Sequence, residues 1–283
     1  MPNSTNPNSD AVARAPRGGP RPDRASADTG FPLGTVPRLP ADAGFFLDID
    51  GTLLDIAEKP QLVRIDEDLV GLLPTLRDAA GGALALISGR SIAEIDRLFG
   101  TSIFCAAGQH GAERRDAAGK RHRHRVPLAG IRKAQRQLGR MAARHPALVL
   151  EDKGMNLALH YRLAPELGAA VHETVRRLAE ELGEDFEMQA GKMVIEIKPS
   201  GKDKGTAIAE FLEEAPFRGR FPVFIGDDLT DEFGFELINR VGGCSVKVGE
   251  GGSAAHWRLP NADAVRAWLR RFVERRREIH GQP

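Results

Sequence analysis

Short runs of continuous apolar residues, each of strand length, punctuate the chain from Gly44 onward. They fall at 45–47, 83–87, 103–107 and 222–225, with a weaker one at 244–248. Continuous rather than alternating apolar character marks strands covered on both faces, as in a parallel sheet. Between these runs the period changes. Leu69, Leu72, Leu73 and Leu76 recur at helical spacing. Ser91-Ile92-Ala93-Glu94 has the form of a capping box, with Ile95 and Leu98 on the inner face behind it. Ile208, Phe211 and Leu212 follow Lys204-Gly205-Thr206. Strands alternating with helices predict an α/β fold, a doubly wound, Rossmann-like parallel sheet.

The middle of the chain breaks the alternation. A helix is expected over 131–144 with Ile131, Leu138 and Met141 inward, then strands at 147–150 and 155–161. A second helix carries Leu167, Ala170, Val171, Val175, Leu178 and Leu182, and strands follow at 186–189 and 193–197. Helix-strand-strand, twice, predicts an α+β cap domain over 116–199, inserted into a core domain of 41–115 and 200–283. Gly119, the polar run 120–125 and Pro199-Ser200-Gly201 suit its hinges. Residues 1–40 are rich in Pro, Gly, Arg, Asp and Ser. They bury too little apolar surface to offset ordering entropy, so a disordered tail is expected.

Charge narrows the partners. A formal net charge of +1 over 283 residues gives no bulk attraction to nucleic acid or to a membrane surface. No apolar run reaches spanning length, and the N-terminal stretch lacks a signal-peptide core. Cys105 and Cys244 lie in or beside apolar runs and read as buried thiols, which suits a reducing cytoplasm; a cytoplasmic monomer is expected. The basic run Lys120-Arg121-His122-Arg123-His124-Arg125 lacks interleaved aromatics, so a solvated cap edge is expected there rather than a nucleic-acid site. Arg275-Arg276-Arg277 reads as a solvated helix end.

Four stretches carry chemistry. Asp48-Ile49-Asp50-Gly51-Thr52 follows an apolar run, placing two carboxylates at a strand end. Ser88-Gly89-Arg90 follows another. Lys202-Asp203-Lys204-Gly205 opens a helix, and Gly226-Asp227-Asp228-Leu229-Thr230-Asp231 follows the run at 222–225. Strand ends and helix starts border the crevice of an open α/β sheet, so all four can face one site. Paired desolvated carboxylates call for a cation, and a hard divalent metal such as Mg2+ suits them. Phosphoryl transfer uses this inventory: a carboxylate nucleophile, a carboxyl acid/base, a lysine, a hydroxyl and a metal. Each residue also has a plainer reading. Asp48 and Asp50 could stabilise a turn, Ser88 could cap a helix, Lys204 could be solvated, and Asp231 could serve the next helix. Arg90 is left between a phosphate and a core carboxylate. His110 and His160 read as packing or hydrogen-bonding histidines.

In this order the four stretches resemble the haloacid dehalogenase superfamily of phosphatases, over roughly residues 44–270. The insert lies where that superfamily carries its C2B-type cap. Gly108-Gln109-His110-Gly111-Ala112-Glu113, the run from Glu151 to Arg162, and Val194-Ile195-Glu196-Ile197-Lys198-Pro199 resemble its trehalose-6-phosphate phosphatase family. The resemblance implies Asp48 as nucleophile and Asp50 as general acid/base. It implies Mg2+ on Asp48, Asp227 and the backbone carbonyl of Asp50. Ser88 and Lys204 would bind the phosphoryl group, Asp228 and Asp231 would support, and Glu151, Lys153 and Glu196 would bind sugar hydroxyls. The implied activity is hydrolysis of trehalose 6-phosphate through an aspartyl-phosphate. Two alternatives remain open: a phosphatase for a sucrose 6-phosphate or glucosylglycerate phosphate type of substrate, and a non-enzymatic phospho-acceptor or sensor.

Overall fold

The structure is a computed structural model that describes residues 36–55, 65–125, 127–191 and 193–281. Its elements run β1 (Ala43–Leu47), α1 (Glu67–Ala79), β2 (Leu84–Ile87), α2 (Ile92–Phe99), β3 (Cys105–Gly108), β4 (Glu113–Arg115) and β5 (Arg121–Arg123). They continue α3 (Leu128–Arg144), β6 (Val149–Asp152), β7 (Leu157–His160), α4 (Gly168–Leu182), β8 (Phe186–Gly191) and β9 (Val194–Pro199). The chain closes with α5 (Lys204–Leu212), β10 (Phe221–Gly226), α6 (Glu232–Arg240), β11 (Cys244–Val248), β12 (Trp257–Leu259) and α7 (Ala262–His280).

The larger sheet has eight strands in the order β12-β11-β10-β1-β2-β3-β4-β5. From β12 to β3 neighbouring strands pair parallel; β4 and β5 turn back antiparallel. β1 lies between β10 and β2, and every residue of it is buried, which explains its unbroken apolar run. Phe46 stacks on Phe217 with ring centroids 5.0 Å apart, and Phe45 meets Phe272 of α7 edge-on at 4.9 Å. From β1 the chain winds outward through β2 and β3 on one side, and through β10 and β11 on the other. The strand order therefore reverses between β1 and β10, and the crevice opens at their carboxyl ends.

The smaller sheet is antiparallel, in the order β6-β7-β9-β8. Leu157, Leu159, Ile195 and Ile197 cover one face and form a hydrophobic cluster with Ile131, Leu138, Val171, Val175 and Leu178 of α3 and α4. The pairings Glu151↔Ala158, Ala158↔Glu196 and Gln189↔Glu196 set these residues in one row across the strands. Opposed residues share a face, and successive residues alternate, so the row belongs to the polar face.

Several elements depart from expectation. The larger sheet does not stop at residue 115: Arg121–Arg123, expected in a hinge and a solvated cap edge, pairs as edge strand β5. β4 gave no apolar signal because its residues are charged yet buried, each held by a partner. Glu113 Oε1 accepts from Ile92 N at 2.7 Å, Arg114 pairs with Glu210 and Glu214, and Arg115 forks onto Asp96 at 2.7 and 2.8 Å. β6 starts two residues later than expected because a turn, Leu148 N to His145 O at 2.8 Å, occupies its first positions. Ala170 is exposed rather than inward, and β12 was not anticipated. Of the expected tail, 1–35 lies outside the described residues. Within 36–40, Leu39 is buried in the core and the Pro37 carbonyl accepts from Trp268 Nε1 at 3.3 Å, so these residues dock. Cys105 and Cys244 are free and buried, with burial pushing their thiols up to about 11 and about 12. Among the described residues, no helix is long and apolar enough to cross a membrane.

Candidate active site

The site grows from the end of β1. Asp48 N donates to the Ile225 carbonyl at 3.0 Å, extending the β1–β10 ladder by one residue and locking the Asp48 backbone at the crevice. Its carboxylate is buried. Thr52 Oγ1 donates to Oδ2 at 3.0 Å and Lys204 Nζ to Oδ1 at 2.7 Å. Lys204 is the first residue of α5, whose N-cap, Asp203, accepts from Thr206 N at 2.6 Å in a capping box. That cap fixes where α5 starts and so where the lysine points. Lys204 also donates to Asp231 Oδ1 at 2.6 Å. Asp231 Oδ2 accepts from the backbone N–H groups of Asp227 and Asp228, at 3.0 and 2.9 Å. Asp231 therefore ties the turn after β10 to the lysine, and its bond from Asp228 N completes the capping box of the 3-10 turn Leu229–Asp231 that leads into α6.

Asp48, Asp227 and Asp231 bring carboxylate oxygens within 4.8 Å of one another. Burial pushes the Asp48 carboxyl well above the usual range, Lys204 pulls it down, and the Asp231 and Asp227 charges push it up again. Burial, then Asp231, raises Asp227 to about 6. Burial alone would lower Lys204, but the Asp231 and Asp48 carboxylates more than offset it and hold the ammonium above its ordinary range. Three carboxylates facing one ammonium leave a negative, all-oxygen recess, a donor set that fits a hard divalent cation. Gly51 lets the backbone close over this recess. Its φ is +84°, and a Cβ there would lie 2.1 Å from Asp227 Oδ2. Lys247, the one charged residue of β11, is buried and its ammonium donates to the Asp227 carbonyl. Sequence reasoning passed over it, although a lysine inside an apolar strand was a signal.

Asp50 faces a different partner. Arg90 Nε and Nη2 fork onto its two carboxylate oxygens, both at 2.6 Å, so Arg90 is paired with a carboxylate at the crevice rim. Arg90 N donates to Ser88 Oγ at 3.1 Å. Ser88, Arg90 and Asp50 thus form one linked rim beside Asp48.

A second polar cluster lies on the smaller sheet. Lys153 Nζ donates to Glu196 Oε1 at 2.7 Å and lies 3.9 Å from Glu151 Oε2, which is 2.9 Å from His160 Nε2. Burial would raise Glu196, yet Lys153 and His110 hold it far below the usual carboxylate range. The His160 contact lowers Glu151. Burial opposes the Lys153 charge, but Glu196 and Glu151 raise it overall. The cluster is reached from the larger sheet by Gln109 and His110, which sequence reasoning did not place in the site. Both hold left-handed backbone, φ +50° and +54°. Gln109 Oε1 accepts from Met155 N at 3.2 Å, and His110 Nε2 lies 3.1 Å from Glu196 Oε2. A Cβ on Gly89 would meet His110 Nε2 at 2.6 Å, so the histidine ring packs directly on the Ser88-Gly89-Arg90 turn. The two clusters are neighbours through that contact. Asp48, Lys204 and Asp227 come together with Asp231. Asp50 joins Ser88 through Arg90, and Glu151, Lys153 and Glu196 form the facing group.

Comparison with known proteins gives the family. The trehalose-phosphatase family model matches residues 46–263. Over 238 residues the chain is 48% identical to the trehalose-6-phosphate phosphatase of Escherichia coli (strain K12), covering 84% of this chain and 89% of that protein. It is 42% identical to a probable trehalose-phosphate phosphatase of Sinorhizobium fredii, covering 78% and 84%. A crystal structure of a trehalose-6-phosphate phosphatase related protein superposes with a TM-score of 0.71 at 25% identity, covering 84% of this chain and 99% of that one. With this core, this acidic recess and matches of that extent, the chain belongs to the trehalose-phosphatase family of phosphoric monoester hydrolases.

Proposed function

We propose that this chain hydrolyses trehalose 6-phosphate to trehalose and inorganic phosphate. The observation that carries the reading is Asp48, buried at the strand end with Lys204 2.7 Å from its carboxylate. Asp48 attacks phosphorus, the bond from phosphorus to the sugar oxygen breaks, and Asp50, which enters the cycle protonated on one oxygen with Arg90 on the other, gives that proton to the sugar oxygen. Asp50 then takes a proton from the water that attacks the aspartyl-phosphate, which frees phosphate and restores Asp48. Ser88 and Lys204 hold the phosphoryl oxygens, and Arg90 orients Asp50. Mg2+, when held by Asp48, Asp227 and the backbone carbonyl of Asp50, supplies positive charge against the phosphoryl oxygens. Asp231 lies in the recess with its oxygens on Lys204 and two backbone N–H groups, and supports the site by holding both in place.

The smaller sheet with α3 and α4, running from the end of β5 to Pro199, acts as the cap. Its Glu151, Lys153 and Glu196 receive the sugar hydroxyls. Charged partners discriminate because a wrong sugar leaves them buried and unpaired. Free buried thiols suit a reducing cytoplasm.

The test is phosphate release from trehalose 6-phosphate, sucrose 6-phosphate, glucosylglycerate phosphate and glucose 6-phosphate, with Mg2+ and with chelator. Trehalose 6-phosphate should be preferred over glucose 6-phosphate by at least about tenfold in kcat/KM. Chelator should stop turnover, and Asp48→Asn should abolish it while the protein stays folded. Equal rates for trehalose 6-phosphate and glucose 6-phosphate would refute the substrate.

A further inference from the structure

His110 stands on the core sheet side, outside the four motif stretches, yet its contacts point into the cap. Two consecutive non-glycine residues, Gln109 and His110, hold φ +50° and +54°, a conformation that costs about 1–3 kcal/mol each and persists where surrounding contacts over-determine it. The turn aims both side chains at the smaller sheet, Gln109 at Met155 N and His110 at Glu196. His110 is 7% exposed and Glu196 6%, so their encounter is desolvated. Opposite a carboxylate the Nε2 atom carries the proton, which leaves Nδ1 an acceptor.

The seam around this pair holds spare hydrogen-bonding capacity. Among the described residues, buried side-chain atoms without a hydrogen-bond partner include Nδ1 of His110 and Oε2 of Glu196. Glu196 Oε2 sits within ion-pair distance of His110 but lacks a well-aligned hydrogen bond, while its Oε1 is bound to Lys153. Leaving such atoms unpaired costs about 1–3 kcal/mol apiece, and a polyol brings both donors and acceptors to them.

We infer that His110 is a specificity-determining positioning residue: from the core side it fixes the Glu196 carboxylate, so that the phosphate-binding turn and the sugar-reading cap are held in register by one imidazole. This rests on the sugar-phosphate reading above. His110 packs on Gly89, one residue from Ser88, and faces Glu196. A substrate bound by its phosphate at Ser88 therefore meets a Glu196 whose position is set from the same turn. A free Glu196 would pair with Lys153 alone and would be less selective.

The test uses His110→Asn. Asparagine tolerates left-handed backbone, so the turn survives, but its side chain is too short to reach Glu196. His110→Gln, long enough to offer an amide N–H, is the rescue. Kinetics are measured with trehalose 6-phosphate and with p-nitrophenyl phosphate, which has no sugar. His110→Asn should raise the KM for trehalose 6-phosphate about tenfold, with kcat falling much less. The ratio of kcat/KM between the two esters should fall by the same factor, and His110→Gln should recover part of it. Adding His110→Asn to Glu196→Gln should cost little more than Glu196→Gln alone. Equal losses for both esters, or multiplicative effects in the double variant, would overturn the assignment. A wild-type enzyme without preference for trehalose 6-phosphate over glucose 6-phosphate would overturn the substrate reading instead, so the two failures are distinguishable.

Discussion

The chemistry of this protein is concentrated in a few side chains whose charge states depend on one another. Asp227 shows it best. Its carboxyl, ordinarily near 3.8, is raised to about 6 by burial and by Asp231. The fold favours the protonated form, so this residue's contribution to stability is complete below its unfolded value and is lost as pH rises through about 6. On the reading proposed above, Asp227 holds the divalent cation in its deprotonated form, so protons and metal compete at this residue. Mg2+ should therefore raise the Tm more at about pH 7.5 than at about pH 5, and the half-saturating Mg2+ concentration should climb as pH falls below about 6. Calorimetry with and without the ion checks this, and equal increments at the two pH values would contradict it. At this scale the sequence showed where the candidate residues stand and gave little sign of their partners. Asp48, Ser88, Lys204 and Asp227 were visible because each sits at the end of an apolar run or the start of a helix. The pairing of Arg90 with Asp50, forty positions apart, had no local sign.

Elements position those side chains, and their ends do most of it. α2 begins directly after Ser88-Gly89-Arg90 and is held twice. Ser91 and Glu94 form the capping box anticipated from their spacing, and Glu113 of β4 accepts from Ile92 N at 2.7 Å. The second clamp was not legible, because it depends on β4 folding back beside β3. Ser91→Ala should cost about 1 kcal/mol. Glu113→Ala, which leaves a buried N–H unpaired, should cost about 1–3 kcal/mol, and Glu113→Gln, which keeps an acceptor, clearly less. Urea unfolding gives all three values, and a Glu113→Ala protein as stable as wild type would remove the clamp from this account. β4 and β5 themselves escaped notice for a related reason: charged strands carry no hydrophobic period, and the burial of β4 is tolerated only because its partners are supplied from elsewhere. Charge on an exposed edge such as β5 also discourages pairing with another sheet.

At the scale of the molecule, two hydrophobic clusters share no residue and meet across a polar seam. Both tryptophans, Trp257 and Trp268, belong with the larger cluster, whereas the smaller one contains the only tyrosine, Tyr161. Leu159 is fully buried in the smaller cluster. Leu159→Ala should cost about 2–5 kcal/mol there. Because the seam is polar, the loss should stay local: circular dichroism should show an earlier phase in urea while the tryptophan fluorescence midpoint holds. A single shifted transition by both probes would mean that the two clusters unfold as one cooperative unit.

The sequence by itself determined what is local. Continuous apolar runs set the strands, 3.6-residue spacing set the helices, and turn and capping residues set where both stop. Together these delivered the carboxylates, the serine and the lysine to strand ends and helix starts. The tertiary structure decided what is relational. The order β10-β1-β2 put Asp227 and Ser88 on either side of Asp48, and Asp231 under Lys204. The antiparallel register of β6, β7 and β9 put Glu151 and Glu196 in one row, and a left-handed turn carried His110 across to meet them. Burial then set the charge states. A side chain's period can be read along the chain, but its partner is chosen by the packing of sheets and helices far apart in sequence.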